Sequence, residues 1–291
     1  MEPQDSDDAP VPDYKVLDLH GPFDEPPAPP PPSRTLPTIL AALLIVGLGG
    51  AAGYYVYRTR SASAPGASEA AQPAPSTDAP TPLGTSADAI DLPPLDESDE
   101  AVRTLVAALT SNPTVAAWLA TDDLIRTFTV VVSNIASGES PARHVPVLKP
   151  RGRFLVLERG EDLLVSPRSY ARYSSLATAA SAIHAEGVAR LYTTLKPRIE
   201  EAYRELGEPD TPFDQTLEHA IELLLRTPIP DGPVSVEPSG AISYRFADRT
   251  LEKLNPAQKL LIRFGPDNQR EVQTSLRAIA LALGIPGERL Q

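Results

Sequence analysis

Apolar positions along this chain follow two regimes, one periodic and one unbroken. The periodic regime begins near Leu95 and runs to the end. Val102, Leu105, Val106 and Leu109 share one helical face behind Ser98, an expected N-cap, with Asp99 and Glu100 in the first turn. Asn112-Pro113 restarts a short helix through Trp118 and Leu119. Leu124, Ile125, Phe128, Val131, Val132 and Ile135 keep helical spacing up to Gly138, although Thr127 to Val132 is β-branched enough for a strand. Phe154 to Glu158 and Leu163 to Val165, around Arg159-Gly-Glu-Asp162, read as a β-hairpin. Tyr170 to Ile183 reads as one helix. A longer helix follows, with Val188, Leu191, Tyr192, Leu195, Ile199, Ala202, Tyr203 and Leu206 on its stripe. Pro197 is expected to kink or split it, and Glu200 and Arg204 to form an i,i+4 pair. Thr211-Pro212 opens a helix with Leu217, Ile221, Leu224 and Leu225 inward. Val234 and Val236, then Ile242, Tyr244 and Phe246, alternate as a second hairpin about Pro-Ser-Gly240. Asn255-Pro256 and Pro266-Asp267 start two last helices, the second with Val272, Leu276, Ile279 and Leu283 inward. The expected fold class is α+β: a mainly α-helical domain with two β-hairpins, preceded by one transmembrane helix.

That helix is the unbroken regime. Residues 38–57 carry no charged or amide side chain. At about 1.5 Å rise per residue the run covers the roughly 30 Å hydrocarbon core of a bilayer. Tyr54, Tyr55 and Tyr57 cluster at one end, where amphipathic rings favour the headgroup layer. A buried core helix would be shorter and partly polar. A cleaved signal peptide would have a basic start, whereas this start is acidic. Gly47-x-Gly49-x-x-Ala52, with Glu69 further on, has the form of a dinucleotide fingerprint, but the Ala/Ser/Pro sequence around Glu69 forms no second strand. Gly49-x-x-x-Gly53 and Gly47-x-x-x-Ala51 are small-residue pairs, which point to weak homodimerisation within the bilayer through Gly49 and Gly53.

Proline placement divides the rest. Of 33 prolines, ten lie in residues 1–34 and seven in 61–95, so one stretch remains that can build a core. The expected organisation is a disordered acidic and Pro-rich tail over 1–37, the membrane helix over 38–57, an Ala/Pro/Ser-rich linker over 58–91 and a folded domain over 92–291. Pro29-x-x-Pro32-x-Arg34 has the form of an SH3 ligand, though any proline run supplies such matches. The net charge of −12 is concentrated outside the domain: residues 96–291 hold 26 acids against 22 Lys plus Arg. Nothing there suggests nucleic-acid binding. The absence of cysteine excludes disulfides, thiolate zinc sites and cysteine nucleophiles.

Chemistry-bearing patterns are sparse. His20, His144, His184 and His219 are scattered. His184-x-Glu186 is half a deaminase signature whose Cys-x-x-Cys half is missing. His219 beside Glu218 and one turn from Glu222 reads as a solvated helix face. No Gly-x-Ser-x-Gly, Walker loop or His-Glu-x-x-His occurs. The densest set is Arg153, Phe154, Tyr170, Arg172, Tyr173, Tyr192, Tyr203 and Arg204, which suits either a recognition surface or tyrosines packed in a core. No residue is assigned a catalytic, cofactor-binding or metal-ligating role.

Several segments resemble the bacterial family called domain of unknown function 3014. They are Leu92-Pro-Pro-Leu-Asp96-x-Ser-Asp99, Thr121-Asp-Asp-Leu-Ile-Arg126, Tyr170-Ala-Arg-Tyr173, Glu201-Ala-Tyr-Arg-Glu-Leu-Gly207, Phe246-Ala-Asp248 and Pro256-Ala-Gln-Lys-Leu-Leu-Ile-Arg-Phe-Gly-Pro266. The resemblance spans about residues 92 to 286 and implies a short tail, one membrane helix, a Pro/Ala-rich linker and this domain. It implies no activity and supplies no catalytic residue. The resulting expectation is a single-pass protein of the inner membrane of a bacterial envelope, whose domain binds an envelope protein or cell-wall ligand. An envelope hydrolase and a structural spacer are the alternatives. Arg34 precedes the membrane run while Arg58 and Arg60 follow it, a one-charge bias toward a cytoplasmic domain. Linker composition and the family layout favour a periplasmic one.

Overall fold

In the computed structural model, which describes residues 15–16, 83–84, 91–144, 150–182, 184–207, 211–240 and 243–290, short polar side chains set several helix starts. Asn112 Oδ1 accepts from Thr114 N–H at 2.8 Å and opens α2 (Pro113–Leu119). The expected cap at Ser98 is replaced. Its hydroxyl donates to Leu95 O at 2.7 Å, and α1 (Asp99–Ala107) starts without a side-chain cap. Asp99 serves another helix instead. Its carboxylate accepts from Asp123 N–H at 2.8 Å and Leu124 N–H at 2.9 Å, the start of α3 (Leu124–Ala136). Thr127 to Val132 is therefore helical, because α3 buries Phe128, Val131, Val132 and Ile135 on one face.

The single helix expected over 170–183 is two: α4 (Pro167–Ala171) and α5 (Ser174–Ser181). The break falls at Arg172–Tyr173, where tertiary contacts take over. Arg172 donates to Ser169 O and Gly152 O, and the Tyr173 ring stacks on Phe264. Helix α6 (Ala185–Glu205) runs through Pro197 without splitting. Leu195 and Ile199, on either side of the proline, are fully buried, and that packing outweighs one missing hydrogen bond. Leu206, expected on the inward stripe, is 46% exposed because it lies at the C-cap, beyond the packed face. Glu200 does not serve the expected intrahelical pair with Arg204. Its Oε1 accepts from Phe213 N–H at 3.1 Å and caps α7 (Phe213–Leu225). Asp248 and Asn255 open α8 (Arg249–Glu252) and α9 (Pro256–Ile262), and α10 (Pro266–Ala282) follows.

Helix α3 packs on α6 and α7, and α10 packs on α5, α6 and α7. Their shared core is centred on Trp118, Phe128, Tyr192 and Phe213. The two hairpins do form, as β2 (Val156–Arg159) with β3 (Asp162–Val165) and β4 (Ser235–Pro238) with β5 (Tyr244–Phe246). They do not stand apart. Leu163 pairs with Val236 and Leu164 with Ser235, which merges them into one antiparallel sheet of order β2-β3-β4-β5. A two-residue strand, β1 (Lys15–Val16), joins at the free side of β2. Beneath the sheet lies a second core of Val156, Val165, Val234, Val236, Phe246, Leu251 and Ile262. Helix α9 joins the two cores: Leu260 and Leu261 face the first, Ile262 the second.

The chain is α+β and mostly helical. The apolar run 38–57, with Gly49 and Gly53, lies outside the described residues, as do the glycine fingerprint and the proline motif. Among the described residues no helix is long and apolar enough to cross a membrane.

Candidate functional site

The aromatic and arginine set separates on folding. Tyr173, Tyr192 and Tyr203 are buried in the helical core, where Phe213 meets Tyr203 at 5.2 Å and Tyr192 at 6.5 Å between ring centroids. Arg204 is exposed on the outer side of α6. Arg172, Phe154 and Tyr170 remain together at the seam between sheet and bundle. The Arg172 guanidinium lies 5.7 Å from the Phe154 ring centre and 5.8 Å from that of Tyr173. Partial burial lowers the Arg172 pKa, while Tyr173 nearby counteracts this.

This seam is also where two of the resembling segments interlock. The Tyr170 ring lies against Gly265, where an added Cβ would stand 2.4 Å from Tyr170 Cγ. Gly265 has φ +84°, a conformation that glycine alone adopts without strain. Asn268 Nδ2 donates to Tyr170 O at 3.0 Å and Phe264 O at 2.8 Å. The Tyr170 hydroxyl is buried without a protein partner, and burial pushes its pKa up to about 12. Tyr170 borders a cavity of about 20 Å³ with Phe154, Val165, Tyr244 and Ile262, room for a single water.

Three of the other segments meet at a second knot. Arg126 joins Glu205 at 2.7 Å, Asp96 at 2.6 Å and Asp123 at 3.1 Å, so its pKa is raised, by Glu205 above all. Arg198 donates to Pro93 O at 2.7 Å, Leu92 O at 2.9 Å and Glu201 at 2.7 Å. Thus the segments at 92–99, 121–126 and 201–207 hold one another, and a structural role accounts for their charges.

A buried polar node lies between α6 and α7. Asp214 accepts from the Tyr192 hydroxyl at 2.5 Å, Lys196 Nζ at 2.5 Å and the backbone N–H of Leu83 at 3.0 Å. Burial first, and the Asp214 charge second, hold the Tyr192 hydroxyl far above the usual phenol range. Gly84 N–H donates to Leu283 O at 2.8 Å. Gly84 has φ +89°, and a Cβ there would meet Thr193 Oγ1 at 2.0 Å. Leu83 is buried in the main core, although it lies in the stretch read as linker. Sequence reasoning missed this node: Asp214 is an ordinary first-turn helix acid, and its partners come from 18 to 131 residues away.

Among the described residues, the histidines take no part in a joint site. His219 is exposed, while its neighbours hold the C-terminus. Arg289 Nη1 lies 2.6 Å from Glu218 Oε1, off the line of a well-aligned hydrogen bond, and Arg289 Nε donates to Glu222 at 3.1 Å. Burial raises the Glu218 pKa, opposed by Arg289. His184 borders an open groove of about 680 Å³ with Glu186, Asp267, Arg270, Glu271 and Thr274, between the α6 start and α10. Its volume lies in the small-molecule range, and charges of both signs line it. Among the described residues, no group of three or more His, Asp or Glu is placed to hold a metal ion.

The two cores, the seam and the knots define a mostly helical α+β domain with no assigned chemistry. The chain belongs to the family described as protein of unknown function, DUF3014, which matches residues 124–280, more than half of its length. No curated protein and no solved structure matches it.

Proposed function

We propose that this chain is a membrane-tethered interaction module. Residues 38–57 cross the inner membrane once, the tail stays in the cytoplasm, and the domain binds an envelope protein or cell-wall ligand in the periplasm. The observation that carries the reading is the seat for Leu83 and Gly84. The end of the linker is not merely attached to the domain. Its Leu83 side chain enters the core, its backbone is held by Asp214 and Leu283, and no larger residue fits at Gly84. A domain that grips its own tether in this way is held at a set attitude on it. This supports a role in presenting a face, for which the groove bordered by His184, Glu186 and Arg270 is the candidate.

Alkaline phosphatase, active only after export, and green fluorescent protein, fluorescent only if retained, are fused in parallel after the last residue. Phosphatase activity without fluorescence is expected. The reverse pattern puts the domain in the cytoplasm and ends the cell-wall reading. Photo-crosslinkers at Glu186 and Arg270 in membranes are expected to capture a discrete envelope component. Labelling indistinguishable from that at exposed Leu206 removes the groove from the proposal.

A further inference from the structure

The two edges of the sheet are protected differently. At β5, Glu252 Oε2 accepts the Phe246 N–H at 3.0 Å, and α8 lies against the strand. The edge at β2 has no such cover among the described residues. Arg159 pairs with Asp162 across the two-residue turn Gly160–Glu161, with Gly160 at φ +63°. In such a hairpin the closing pair exchanges its hydrogen bonds inward, and every second residue turns its backbone groups the other way. Leu155 fits this alternation, because its C=O accepts from Ser166 N–H at 3.0 Å. Val156 and Glu158 therefore present N–H and C=O to the outside. Unpaired groups in a row form a template for another strand.

Strand β1 sits on that template. Lys15 falls opposite Glu158 and Val16 opposite Leu157, antiparallel. Residues 13–21 are also the longest proline-free stretch of the tail, between Pro12 and Pro22. Proline lacks the N–H a ladder needs, so this is the tail segment best able to add a strand.

We propose that the outer edge of β2 is a strand-addition site, and that its occupant is the tail segment around Lys15 and Val16. Its consequence rests on the reading of 38–57 as a single membrane crossing. One crossing between Val16 and Leu157 puts the two strands in different compartments. The edge is then covered in the chain before insertion and bare in the inserted chain. The tail acts as a temporary cover for a sticky edge, and insertion removes it.

The chain has no native cysteine, which makes the test direct. The double variant Val16→Cys/Leu157→Cys joins residues directly opposite in the register, close enough for a disulfide. The control, Val16→Cys/Arg245→Cys, uses the far edge. The full chain is translated with and without inverted membrane vesicles, oxidised, and read as a mobility shift. Without vesicles, the Val16/Leu157 pair is expected to cross-link well above the control. Adding Lys15→Pro is expected to abolish the cross-link, and a tail substitution cannot unfold the domain. In the carbonate-resistant vesicle fraction the cross-link is expected to be lost. No excess over the control without vesicles, or a cross-link indifferent to Lys15→Pro, overturns the strand-addition site. A cross-link that persists in the carbonate-resistant fraction keeps the site and overturns the single crossing.

Discussion

The helical bundle and the sheet layer solve the same burial problem with unequal means. The bundle wraps long helices around large side chains, and Trp118, Phe128, Tyr192 and Phe213 are essentially removed from solvent. The sheet layer relies on Val156, Val165, Val234, Val236, Phe246, Leu251 and Ile262, with one ring among them. Its strands β2 to β5 span three or four residues each, and the two-residue β1 lies along one edge. A small sheet on few valines is stable only against something else. Here that support is the seam at Tyr170, Gly265 and Asn268 and the shared helix α9. The bundle holds the larger core, while the sheet meets β1 along its β2 edge.

The sharpest way to break this comparison is to truncate one residue in each core. Phe213→Ala removes a ring that touches Phe128, Tyr192 and Tyr203, and should cost about 3–5 kcal/mol in urea unfolding. Val236→Ala should cost only about 2 kcal/mol, from two methyl groups and a small cavity. Equal losses would mean that the sheet is as integral as the bundle.

Next in size is the Asp214 node. Asp214→Ala strands Lys196 and frees Leu83, and should destabilise by about 3 kcal/mol. Adding Lys196→Met should recover part of that loss, since no unpaired charge remains. If the double variant is as unstable as the sum of the singles, the node is not a coupled unit.

At the seam, pH is the probe. The Tyr170 pKa is raised by burial to about 12 from about 10 when unfolded. A raised pKa gives stability that is complete below the unfolded value and lost as pH climbs through the folded one. Tyr170 should thus contribute a loss of about 2 kcal/mol between roughly pH 10 and 12. Tyr170→Phe should flatten that part of the stability profile and, lacking an unpaired hydroxyl, leave neutral stability unchanged or improved. An unchanged alkaline slope would place the titration elsewhere.

The smallest effect belongs to the Arg126 knot. Its acidic partners are 47–82% exposed, so Arg126→Ala should cost under about 1 kcal/mol, less still in high salt. A loss rivalling that of Phe213→Ala would show that the knot, not the core, organises the bundle.

Much of the local structure was legible in the residues themselves. The inward stripes of α3 and α10 follow directly from a period near 3.6, and Asn112 and Asn255 cap where short polar side chains should. Both hairpins follow from alternation and from the turns at Gly160 and Gly240. Two departures share one cause: spacing along the chain places Glu200 and Tyr173 only within their own segments. Glu200 and Tyr173 are engaged by partners far along the chain, at Phe213 and Phe264, while Ser98 yields its capping task to a bond with Leu95.

What the sequence determined alone is the sum of short-range choices. These include where helices start and stop, which faces are apolar, and the charge-free run over 38–57 that marks the chain as a candidate for a bilayer. Helix and strand periods are local geometry, so they survive in a one-dimensional reading. Tertiary structure alone decided that two hairpins form one sheet, that Leu83 belongs to the core, and that Asp214 holds the linker. It also decided that the tyrosines divide between core and seam. Each of these depends on which distant surfaces meet, and side-chain spacing along a segment carries no record of its partner across the fold.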